Sequence, residues 1–116
     1  MDKRKLAQYL LPYCVSNNTQ IRYEESLTYK NSFMVLRDSL MRIGFILLED
    51  TEKNIYIVKI KSGILNQTCA YFAMELKDNI LNIAGCANEG VIFQNIYDKA
   101  IRKLIGGLLD EKHYKE

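Results

Sequence analysis

The sequence predicts an α+β fold: a two-layer domain with a mostly antiparallel five-stranded sheet and helices on one face, in the order α-β-α-β-β-β-β-α. Three stretches carry this reading. The segment "CAYFAMELKDNILNIAGCANEG" reads as a β-hairpin around Asp78-Asn79, because the apolar groups of both arms then fall on one face. Phe33, Leu36, Leu40 and Ile43 recur at helical spacing. "NIYIVKIKSG" is apolar on both of its faces, as a strand covered on both sides would be.

Each element follows in order. A first helix is expected from about Asp2 to Cys14, with Leu6, Tyr9, Leu10 and Tyr13 as its apolar stripe and Pro12 ending it near Leu11. Gln20 to Leu27 alternates apolar Ile21 and Tyr23 with Arg22 and Glu24, which predicts a strand. Asn31 or Ser32 caps a helix ending at Ile43, and Gly44 is placed to close it with a positive φ. "FILLED" and "NIYIVKIKSG" are the next two strands, joined by a polar turn over 50–53. In the hairpin, Lys77 faces Ile80, Leu76 faces Leu81, Met74 faces Ile83 and Phe72 faces Gly85. A last helix runs from about Val91 to Leu109, and residues 110–116 read as a frayed tail. With no repeat and no linker-like segment, residues 1–116 read as one domain. Without its first helix, the order β-α-β-β-β-β-α is similar to that of one half of the TATA-binding-protein fold. That likeness is one of element order with no shared motif, and it carries no functional residue to this chain.

Composition narrows the function classes. The net charge is +2, with 48% hydrophobic and 26% charged residues, as in an ordinary globular domain. The pI of about 8.4 is below that of a dedicated duplex binder, and the one tight basic run, Lys3-Arg4-Lys5, reads as a solvated helix start. Only a short apolar run, broken by Pro12, follows the basic start, so neither a membrane span nor a cleaved leader is expected. The expected location is the cytoplasm, with Cys14, Cys69 and Cys86 reduced. One histidine and no C-x-x-C pair argue against a metal site, and no cofactor motif is found. His113, at the tail, is poorly placed to serve a nucleophile, and the acids of 49–52 read as a turn; the chain is expected not to be an enzyme. Abundant Ile, Lys, Asn and Tyr with no Trp fit an AT-rich bacterial or phage coding sequence.

The candidate site is the hairpin face opposite the apolar one. Tyr71, Glu75, Ile80, Asn82 and Cys86 lie there, with Tyr71 facing Cys86 and Glu75 facing Asn82. Cys69 sits diagonally from Cys86, about 7–8 Å away by sheet geometry, beyond disulfide range. Ile80 and the cysteines are poor choices for a wet surface, so this face calls for a cover, from the first helix or from another chain. The expected function is a small non-catalytic protein-binding module: an adaptor, a chaperone-like partner or an inhibitor of another protein, with a homodimer through the sheet as part of the reading. One alternative is single-strand nucleic-acid binding through a basic, aromatic face using Arg22, Lys59 and Lys61, with Tyr23, Tyr29 and Tyr56 nearby. Another is a small-ligand pocket near Glu75.

Overall fold

The hairpin turn sets the sheet. Asp78 and Asn79 have φ values of 53° and 64°, the left-handed pair that a two-residue turn between twisted strands requires. Strands β5 (Cys69–Lys77) and β6 (Ile80–Ala87) pair in the expected register, Lys77 with Ile80 through Phe72 with Gly85. The computed structural model describes residues 3–14, 21–61, 69–87 and 96–114. Strand β4 (Ile55–Lys61) lies beside β5, and β3 (Phe45–Asp50) beside β4, all antiparallel. The strand expected over 20–27 is instead two short ones, β1 (Arg22–Tyr23) and β2 (Leu27–Thr28), and both pair with β6. Between them Ser26 bonds the Asn82 side chain, 2.5 Å away, instead of continuing the ladder. Among the described residues the fold is α+β, a six-stranded antiparallel sheet in the order β1-β6-β5-β4-β3, with β2 also paired to β6, and three helices.

Helix α2 (Phe33–Ile43) starts where Ser32 accepts a hydrogen bond from the Val35 N–H at 3.2 Å. It ends where the Gly44 N–H donates to the Leu40 carbonyl at 2.8 Å. The expected positive φ is not found; Gly44 is extended, at φ −161°. Glycine is needed there because a Cβ would overlap the Lys59 carbonyl oxygen on the neighbouring strand. Helix α3 (Ile96–Tyr114) extends into the segment read from sequence as tail; the start expected near Val91 lies outside the described residues.

The helices divide between the two faces, not one as expected. Leu36 and Leu40 of α2, with Tyr97, Ala100 and Leu104 of α3, pack on Tyr56, Val58, Phe72, Met74 and Ile83. On the opposite face the short α1 (Lys3–Gln8) and the turn after it place Leu6 and Leu10 on Ile55, Ile57, Ala73 and Ala84. The two-layer core therefore carries a partial third layer. This explains why β4 is apolar on both faces: each face has a helix to bury against. Leu6 and Leu10 are 1% and 0% exposed, each burial contributing roughly 1.5–3 kcal/mol.

Candidate functional site at the edge of the sheet

The five hairpin residues singled out by sequence do not form one open surface. α1 lies over the middle of their face and divides them. Cys86 is fully buried and joined to Cys14 as a disulfide, with Cα atoms 6.5 Å apart. This corrects the expectation of three reduced thiols; Cys69 is the free, buried one. The separation lies within the range that a disulfide spans. Tyr71 is half-buried and stacks on Tyr13 with ring centroids 5.3 Å apart. The Cys69 sulfur and the Tyr71 hydroxyl are hydrogen-bonded at 3.5 Å; that hydrogen bond first, and burial second, push the phenol up to about 12. Glu75 is 5% exposed and faces Asn82 in the register, while the Asn82 carbonyl oxygen accepts from Ser26. At that end of the sheet Glu75 lines a cavity of about 510 Å³ with Lys5, Glu52, Lys53, Asn54 and Lys77. Ile80 is exposed beside the turn, opposite Thr28.

The basic residues of the nucleic-acid alternative are not brought together. Lys59 and Lys61 lie on the face of Ile55 and Ile57. Arg22 pairs with Gly85 and points to the other face, where it stacks on Tyr97 at 4.5 Å and meets Asp98 at 3.5 Å. Of the tyrosines in that reading, Tyr29 and Tyr56 are core residues and Tyr23 alone is exposed.

The surface that sequence reasoning missed is the other edge. β3 is the outermost strand, and among the described residues nothing pairs with its outer side. It nevertheless exposes large apolar side chains: Phe45 at 56%, Leu47 at 38% and Leu48 at 36%. Beside it α2 exposes Met34 and Met41, seven residues apart and so on one helical face. Arg37 lies between them and reaches Glu49 of β3 at 3.6 Å. A groove of about 610 Å³ runs between the two elements, lined by Arg37, Met41, Gly44, Phe45, Ile46 and Glu49. On the opposite face Lys61 sits over the Phe45 ring at 5.3 Å. A bulge at Leu47 interrupts the ladder, so that Ile46 faces Val58 while Leu48 faces Ile57. The only signal in the sequence was the apolar run Phe45-Ile46-Leu47-Leu48, which reads equally well as a central strand.

Among the described residues, no three His, Cys, Asp or Glu side chains converge on a cation site, and no helix is long and apolar enough to cross a membrane. Compared with protein-family models, curated proteins and solved structures, the chain gives no significant match.

Proposed function

We propose that this chain is a small, non-catalytic protein-binding module that docks through the β3 edge. The observation that supports it most is the exposure of Phe45, Leu47 and Leu48 on a strand whose outer hydrogen-bonding groups face no other described strand. Edge strands are ordinarily kept short, charged or covered, because a long apolar edge recruits other chains. The bulge at Leu47 is one such protective device, yet three large apolar side chains remain on the strand. Adding a strand here would satisfy the free backbone groups, and the α2 groove would take the side chains on one face. An adaptor or an inhibitor of another protein has this form. The hairpin face no longer supports the reading, since α1 covers its centre.

Site-specific photo-crosslinking tests the proposal. A photoreactive residue at position 47, carried by the chain in its native cell, is expected to yield protein adducts. The same probe at Gln8, exposed on α1, is the control. Adducts from both positions alike, or from neither, would contradict docking at β3.

The cavity beside Glu75 favours a second reading, a site for a small charged ligand. Three lysine side chains and two carboxylates, Glu52 and the buried Glu75, suit a ligand carrying both charges, such as a free amino acid. A panel of amino acids that leaves the melting temperature unchanged at millimolar concentration would dismiss it.

For location we propose the cytoplasm. The Cys14–Cys86 bond is open to reduction in that compartment, so α1 would exist in tethered and untethered forms there.

A further inference from the structure

Building on the docking reading, we infer that the β3 edge is occupied by a second copy of the chain, paired antiparallel across a two-fold axis to make one continuous sheet. Residues 45 and 50 are five apart, and in a regular strand they would point to opposite faces. The extra residue at Leu47 shifts the alternation, so Phe45, Leu48 and Asp50 share the face of their neighbours Lys59, Ile57 and Ile55. An antiparallel register centred between Leu47 and Leu48 sets Phe45 opposite Asp50 of the second copy, and Ile46 opposite its Glu49. Phe45 and Asp50 then share one face and Ile46 and Glu49 the other, as a ladder demands.

Charge selects the same arrangement. At one end of the edge, Lys59 lies beside Phe45 and Lys61 over its ring. At the other end are Asp50 and, in the turn beyond it, Glu52, two acids against the single base Lys53. Antiparallel pairing brings the basic end of each chain to the acidic end of the other, twice by symmetry; parallel pairing would set like against like. Phe45, Leu47 and Leu48 would then leave water together, with Met41 beside them. The opposite edge offers no such ladder, for β1 and β2 have two residues each.

The test is light scattering after size exclusion across a concentration series, on the full chain. The expected mass is twice 13.5 kDa, falling to one chain in Leu48→Lys, an exposed position whose variant should keep its circular dichroism. Lys61→Glu alone and Glu52→Lys alone should each weaken the dimer roughly 2- to 30-fold at low salt, through two symmetric pairs. The double variant reverses both ends and should restore it. A dimer indifferent to Leu48→Lys, or a double variant no better than the singles, would overturn the pairing. A monomer at all concentrations that still gives position-47 adducts with other proteins would overturn the second copy and leave edge docking standing. A monomer with no adducts would end both.

Discussion

Tyr56 lies under the sheet with its ring stacked on Phe33 at 4.0 Å and its hydroxyl donating to the Phe33 carbonyl at 2.8 Å. This contact ties α2 to β4 at one residue. Burial, and after it the Glu49 carboxylate, push its phenol up to about 12. A folded-state value above the unfolded 10 means the native state holds the proton longer. Stability from this group is complete below pH 10 and is lost as pH rises from 10 towards 12. Tyr56→Phe should cost about 1 kcal/mol in urea unfolding and flatten the alkaline fall; an unchanged slope would assign that fall elsewhere. Gly85 is the second decisive residue. A Cβ there would stand 2.5 Å from the Phe72 ring and 2.8 Å from Tyr97, both in the core. Gly85→Ala should cost roughly 1–3 kcal/mol by chemical denaturation, and a neutral result would show that the rings move aside. Phe72 opposite Gly85 was legible in the sequence, because the turn at Asp78-Asn79 fixes the register by counting. The conformation of Gly44 was not, since the reason for glycine there is the Lys59 carbonyl, fifteen residues along the chain.

At the scale of elements, α1 is the least self-sufficient part. Six residues are too few for an isolated helix, so its order comes from what it packs on. Leu6 and Leu10 hold it to the sheet, and the Cys14–Cys86 bond ties the turn after it to the same face. Cys14→Ser, or reduction of the wild-type chain, should lower stability by about 2–4 kcal/mol, read from paired urea titrations. Equal midpoints would mean that packing alone places α1. The doubly apolar β4 pointed to a cover on its second face but could not distinguish a helix from another copy. Which of the two it is depends on Leu6 and Leu10 meeting Ile55 and Ile57 across some fifty residues of chain. α2 was legible throughout, from the Ser32 cap to Ile43, because its signals are local. The first strand was only half legible: Ile21 to Glu24 alternates as a strand should, and the Glu24 N–H still donates to the Ile83 carbonyl at 3.0 Å, but Glu25 and Ser26 leave the run before Leu27 rejoins β6.

Across the whole molecule, what could not be read was strand order. Periodicity tells which face of a strand is dry; it does not tell which strand lies at the rim. "FILLED" looks like an interior strand, and its place at the edge turns the same residues into an exposed surface. The candidate face on the hairpin was legible as a face, but α1 closed its centre. The net charge of +2 also conceals a local division, with lysines at one end of β3 and acids at the other. If the edge is where partners dock, amide exchange should report it strand by strand. The measurement to make is hydrogen exchange on the full chain at concentrated and dilute protein, comparing residues 45–50 with the opposite edge at 22–28. With a second copy on the edge, the β3 amides slow as concentration rises, Leu48→Lys abolishes the slowing, and β1 and β2 stay constant. Fast, concentration-independent exchange at β3, or protection confined to β1 and β2, would contradict it.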